Sequence, residues 1–330
     1  MADSNKQTSV ATDPVRQLAD RVIAGDMPAL ARTISLIEAG HKAAQPVLRH
    51  LRANAGHALV VGFTGPPGAG KSTLINAYIA ALRGQGKRVA VLAVDPSSPL
   101  TGGAVLGDRT RMGDHSLDGG VFIRSLSARG HLGGLSAEIH AVIDAVDAAR
   151  WDVIVLETVG AGQSETEVAE IADRRVVISV PGLGDDVQAI KAGILEIADV
   201  LVVNKSDLPL AERTERQLRS MLALRGDADQ RVPIVRTVAT EASGMEKLMA
   251  AIDDGAVAGD EDARRARLIR RARRLIAAKA AQMVKAALDR AEGDLDEICG
   301  QLIDGDVSLE DAARHAQSVA RTDTGTTGPR

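Results

Sequence analysis

The stretch GPPGAGKST at 65–73 is the first part of the chain whose residue types and spacing could do chemistry. Gly65, Gly70, Lys71 and Ser72 fill the pattern GxxxxGK[ST], and Pro66, Pro67, Gly68 and Ala69 complete the loop between an apolar run, ALVVGFT, and a helix-forming segment that opens with Thr73. Backbone N–H groups of such a loop, at the start of a helix, surround a β-phosphate. Lys71 then bridges β- and γ-phosphates, and the Ser72 hydroxyl ligates Mg²⁺. A second string, NKSD at 204–207, ends another apolar run, VLVVN. An aspartate so placed can accept two hydrogen bonds from guanine N1–H and its exocyclic amine, so Asp207 is expected to read the base, with Asn204 helping to hold the loop and the Lys205 stem packing on the ring. Adenine has an acceptor at N1 and no amine at C2, so it would leave the Asp207 oxygens unpaired. The next strand-like run closes on TVAT, where backbone N–H groups of Val238, Ala239 and Thr240 are expected to meet guanine O6.

Three carboxylates suit a Mg²⁺ site built with Ser72, because Mg²⁺ takes octahedral oxygen ligands and keeps several waters. Asp95 closes RVAVLAVD, Asp108 lies in GGAVLGDRTRM, and Glu157 closes VIVLE. Glutamate is one methylene longer than aspartate, so Glu157 can reach an outer-shell water from a strand end. In the run E-x-x-G that follows, Gly160 is placed to touch the γ-phosphate and to move away after hydrolysis.

Those residues need a scaffold that gathers strand ends. Seven Val/Ile-rich runs, at 58–64, 88–95, 121–125, 153–157, 175–180, 200–204 and 233–238, alternate with helix-like segments. Continuous apolar runs indicate strands buried on both faces, and the alternation indicates a parallel sheet. In such sheets chemistry gathers at the carboxyl ends of the strands. The expected fold is therefore α/β: a P-loop NTPase with a mostly parallel sheet flanked by helices, plus N-terminal and C-terminal helical extensions. The boundaries read as a disordered start and helical extension over 1–56, the P-loop domain over 57–256, and a helical arm with a disordered end over 257–330. Asp13-Pro14 is an N-cap followed by proline at the first helical position, and Leu18, Val22, Leu30, Ile34 and Ile37 recur at helical spacing with a break at Met27-Pro28. In the arm, Leu268, Ala272, Leu275, Ile276, Met283 and Ala287 track one face, and a turn around Gly293 and Gly305 precedes a second helix at 308–321.

The composition excludes several other classes. A net charge of −4 makes no case for nucleic acid, and the seven arginines between 264 and 274 read as a solvated face of the arm, without interleaved aromatics. Aromatics are 1% of the chain, so the core must be aliphatic. One cysteine, Cys299, excludes an intrachain disulfide framework. No apolar run reaches the roughly 18 residues of a membrane span, and the first residues lack a signal-peptide plan, so a cytoplasmic location is expected.

Taken together, GPPGAGKST, VDPSSP (94–99), GGAVLGDRTRM (102–112), ETVGAGQSE (157–165), VPGLGDDVQAIKAGILEIAD (180–199) and NKSD resemble the MeaB/ArgK family of P-loop GTPases, of the SIMIBI class, over about residues 15–320. The resemblance implies a GTP-hydrolysing chaperone of adenosylcobalamin-dependent methylmalonyl-CoA mutase that gates cofactor delivery and protects or reactivates the mutase. It implies GTP/GDP and Mg²⁺ as ligands and a homodimer formed through the C-terminal arm. It also places Asp108 in switch I, Glu157–Glu165 in switch II, and 180–191 in a third switch. In that third switch Asp185, Gln188 and Lys191 contact the partner or complete the catalytic site, with Lys191 as the transition-state cation. Two other readings stand beside it. A nickel or zinc metallochaperone GTPase would carry His-rich tracts, whereas the seven histidines here are scattered. An ATP-dependent kinase linked to amino-acid transport would need adenine selectivity, against which NKSD argues.

Overall fold

The computed structural model describes residues 13–96, 115, 117–128, 135–158, 171–182, 198–223, 232–254, 261–290 and 292–324. All seven expected strands are present: β1 (Leu59–Thr64), β2 (Val89–Pro96), β3 (Val121–Ala128), β4 (Val153–Thr158), β5 (Arg174–Ser179), β6 (Val200–Val203) and β7 (Ile234–Arg236). They form one parallel sheet in the order β3-β2-β4-β1-β5-β6-β7. The chain leaves central β1 toward one edge, returns to insert β4, and crosses to the other side with β5. β1 is thereby bracketed by β4 and β5, so the loop after β1 meets the carboxyl ends of both.

Both faces of the sheet are covered, as continuous Val/Ile runs require. On one side helix α4 (Lys71–Gly84) buries Leu74, Ile75, Tyr78, Ile79 and Leu82. Beside it packs α7 (Met245–Asp254), and the Phe63 and Tyr78 rings meet at 5.5 Å. On the other side lie α5 (Leu135–Ala148) and the N-terminal helices α1 (Pro14–Ile23), α2 (Met27–Glu38) and α3 (Ala44–Leu51). Val22, Leu30, Ile34 and Ile37 share one core with β1, β2, β4 and α5. The helical preface therefore belongs to this core, and α2 reaches the sheet through Glu38, which pairs with Arg124 of β3. Asp13 and Asp26 cap α1 and α2, accepting from Val15 N and Ala29 N at 3.0 Å each, with prolines just inside both helices. Helix α6 (Ala211–Ala223) covers β5 and β6 through Leu218 and Leu222.

The C-terminal helices are α8 (Glu261–Arg290), α9 (Glu292–Asp304) and α10 (Leu309–Thr324). Helix α9 was not expected: Gly293 lies inside it, and of the two glycines read as a turn only Gly305, at φ +83°, makes one. The arginine-rich start of α8 also corrects the expectation of a solvated face. Arg265, Arg270 and Arg273 are exposed, but Arg264, Arg267 and Arg271, with Leu268, form an i, i+3, i+4, i+7 face turned onto the body. Arg264 donates to Ala55 O and Ala53 O, and Arg267 to Gly56 O. Arg271 lies between Asp147 of α5 and Asp173 before β5, 2.7 Å from each. Burial works against its charge, but the Asp173 and Asp147 carboxylates outweigh that and push its pKa up.

Candidate functional site

Helix α4 begins differently from α1 and α2. Its N-cap is Gly70, in the left-handed region at φ +81°, and no side chain caps it. A Cβ there would lie 2.7 Å from Asn204 Nδ2, so only glycine lets the loop approach β6 this closely. Gly65 is equally constrained, since a Cβ would sit 2.5 Å from Ile178 O of β5. The first-turn N–H groups of α4 and the positive end of its dipole are thus presented at the carboxyl end of the sheet, an arrangement that binds a phosphate. Lys71 is only 9% exposed, and its Nζ donates to Gly65 O at 2.8 Å and Pro66 O at 3.2 Å. The ammonium is therefore held inside the loop, in a dry setting where its charge acts strongly on a bound anion.

Ser72 and Glu157 come together on the α4 side of the sheet: Ser72 Oγ donates to Glu157 Oε1 at 2.6 Å, and Glu157 is 1% exposed. A hydroxyl and a carboxylate side by side next to the phosphate loop fit Mg²⁺, a hard cation that takes oxygen ligands. Asp95 lies near the end of β2, in register with Ser127 of β3, while its side chain lies outside the described residues. Asp108, Gly160, Asp185, Gln188 and Lys191 also lie outside them. Among the described residues no group of three or more His, Cys, Asp or Glu is arranged to hold a metal ion.

A cavity of about 230 Å³ opens beside the loop. It is lined by Gly70 and Thr73, by Asn204, Lys205, Asp207 and Leu208 after β6, and by Val238, Ala239 and Thr240 after β7. The loop, the NKSD string and the TVAT turn, far apart in sequence, therefore share one wall. Two lysine and asparagine contacts hold it: Asn204 Nδ2 donates to Ala69 O, and Lys205 Nζ to Gly68 O, both at 2.9 Å. Lys205 adopts φ +53°, which turns the chain sharply after β6. One expectation needs correcting, since the Val238 N–H donates to Ser243 O at 3.1 Å. It is already spent, and Ala239 and Thr240 are left as the candidates for guanine O6.

Sequence reasoning missed two residues here. Thr237 is fully buried, and its Oγ1 donates to Asn204 Oδ1 at 3.0 Å, so the Asn204 amide nitrogen is directed at Ala69. A threonine ending a strand next to a glycine-loop contact was the available signal. Leu208 lines the cavity beside Asp207, and its place directly after NKSD was the clue.

The comparisons with known proteins agree with this geometry. The family model described as "Methylmalonyl Co-A mutase-associated GTPase MeaB" matches residues 30–292. A Pyrococcus horikoshii protein named as a GTPase is 42% identical over 300 residues, covering 88% of this chain and 95% of that protein. GTPase ArgK of Escherichia coli is 44% identical over 191 residues, 57% of this chain and 58% of its own. The mouse protein "Methylmalonic aciduria type A homolog, mitochondrial" is 38% identical over 260 residues, 72% of this chain and 63% of its own. Among solved structures, a LAO/AO transport system kinase superposes with a TM-score of 0.69 at 26% identity, covering 97% of this chain and 100% of that one. With a P-loop, a serine–glutamate pair and an NKSD wall on a seven-stranded parallel sheet, and a family model spanning most of its length, this chain belongs to the MeaB/ArgK family of GTPases.

Proposed function

We propose that this GTPase is a chaperone of adenosylcobalamin-dependent methylmalonyl-CoA mutase, gating cofactor delivery and protecting or reactivating the mutase. The observation that carries the reading is the match over residues 30–292 to a family described by its association with that mutase. Hydrolysis of GTP to GDP is the chemistry assigned to the site. Lys71 and the first-turn N–H groups of α4 hold the β,γ-phosphates, and Asp207 selects guanine over adenine. Ser72 and Glu157 are the residues proposed to hold Mg²⁺, with Asp95 and Asp108 supporting its water shell. Bound there, Mg²⁺ neutralises charge on the phosphate oxygens. Lys191 is the proposed transition-state cation, and Asp185 and Gln188 the proposed partner contacts.

A homodimer through the arm belongs to the same proposal. Ile269, Ile276 and Met283 recur every seven residues along α8 and are 43%, 68% and 50% exposed, a spacing suited to helix–helix pairing. No helix among the described residues is long and apolar enough to cross a membrane.

The deciding experiment measures GTP hydrolysis by the full chain with and without a purified adenosylcobalamin-dependent mutase, with co-elution followed in GDP and in a non-hydrolysable GTP analogue. Acceleration together with nucleotide-dependent co-elution is expected. Neither effect in any nucleotide state would remove the partner and leave the GTPase. Competition of ATP against GTP for binding separately tests the base assignment.

A further inference from the structure

The amino end of β1 is built as closely as its carboxyl end. Asp147, fully buried in α5, takes three successive backbone N–H groups: Gly56 at 2.8 Å, and His57 and Ala58 at 2.9 Å each. Asp173, at the entry to β5, accepts from Val60 N at 3.2 Å and donates its own N–H to Val60 O at 2.8 Å. One cation from outside the sheet meets both carboxylates. Arg271 of α8, with its side chain 4% exposed, bonds each at 2.7 Å and also donates to Ala58 O at 3.1 Å. The approach is close enough that a Cβ on Gly56 would lie 2.8 Å from Leu268 Cγ.

We propose that Arg271 is the joint by which the C-terminal arm holds β1 and β5 in register, so that docking of the arm and binding of guanine nucleotide are energetically linked. Residues 56–60 lead without interruption through β1 into the phosphate loop, and β5 passes within a glycine's width of that loop at Ile178 and Gly65. Nucleotide at one end and the arm at the other thus stabilise the same pair of strands. A ligand that favours the docked arrangement is itself favoured by it to the same factor. Removing Arg271 leaves two buried carboxylates without their cation, which disfavours that arrangement strongly. Arg271 is a positioning residue here and touches no nucleotide. The inference rests on nucleotide binding at the loop and is independent of the mutase assignment.

The test uses the full chain alone, as wild type, Arg271→Met, Arg271→Met with Asp173→Asn, and the exposed control Arg270→Met. Binding of a fluorescent GDP analogue and hydrogen exchange over residues 264–275 are measured with and without saturating GDP. In the wild type and in Arg270→Met, GDP should slow exchange across this turn of α8 by about fivefold or more. Arg271→Met should weaken GDP binding by a similar factor and make exchange insensitive to GDP. Adding Asp173→Asn should recover part of the binding, because it removes one of the two carboxylates left without Arg271, while Asp147 keeps its three N–H donors. The proposal is overturned if GDP leaves wild-type exchange over 264–275 unchanged, a result that stands even if Arg271→Met fails to fold. It is also overturned if folded Arg271→Met binds GDP as the wild type does, or if Asp173→Asn restores nothing, which would make the defect one of packing and not of charge.

Discussion

At its carboxyl end β1 runs into a loop and a helix start that no side chain caps; at its amino end Asp147 takes the N–H groups of Gly56, His57 and Ala58 and Arg271 neutralises the charge. Both ends set backbone N–H groups and one buried cation around an anion position. The two lie about 20 Å apart, the length of a six-residue strand. In one the anion is a carboxylate of the chain and the arrangement is closed. In the other the proposed anion is a phosphate from solution, and Lys71 rests on the loop carbonyls of Gly65 and Pro66. A functional site is therefore distinguished less by its residue types than by which member of the charge set the chain leaves for a ligand to supply.

Lys71→Ala should break this comparison most visibly. GTP hydrolysis is expected to fall by about 10³-fold, while the thermal midpoint moves far less than in Arg271→Met. Unfolding by both to the same degree would erase the distinction between the ends. Glu157→Gln should lower hydrolysis by about 10- to 100-fold, in the range of lost metal-site support, with GDP affinity nearly unchanged. Equal loss of both in a binding and turnover assay would make Glu157 a structural residue.

His140 sharpens the closed side. It is 3% exposed in α5, and burial, then the Arg274 and Arg271 cations, bring its pKa down from 6.5 to about 4. Its folded value is depressed, so the unfolded chain binds the extra proton first. The stability linked to neutral His140 is whole above pH 6.5 and is lost progressively as pH falls to about 4. Between pH 7 and pH 5, His140→Leu should lose about 2 kcal/mol less unfolding free energy than wild type. Equal losses of unfolding free energy in wild type and His140→Leu, read from urea titrations at the two pH values, would show that His140 is not a source of acid sensitivity.

The smallest effect concerns the open side's support. Thr237→Val leaves the buried Asn204 Oδ1 without its hydroxyl donor and should weaken guanine-nucleotide binding by about 1 kcal/mol. Titration with GDP checks it, and an unchanged affinity would mean that the Asn204–Ala69 contact orients the amide unaided.

The open end was legible in the sequence because its chemistry is local. GPPGAGKST and NKSD are contiguous strings, and unbroken Val/Ile runs mark the buried strands that deliver them. The closed end was not, because Arg271 meets Asp147 and Asp173 across 124 and 98 residues. No short string records such a pairing, and arginine on a helix normally marks solvent. The spacing of Arg264, Arg267, Leu268 and Arg271 held the one usable sign, a helical face on which arginines occupy the places of apolar residues. Val238 shows the converse limit: a backbone donor can be placed near the base from sequence, but whether its N–H is already engaged depends on Ser243.

The chain's single tryptophan stands on the closed side as well. Trp151 is 1% exposed just ahead of β4, stacked 6.0 Å from Phe122 with the Arg88 guanidinium 4.3 Å from its ring centre. The protein thus carries one tryptophan reporter, set at the sheet's amino end and away from the cavity beside the phosphate loop. A change in its emission on adding nucleotide would be a signal received through the sheet.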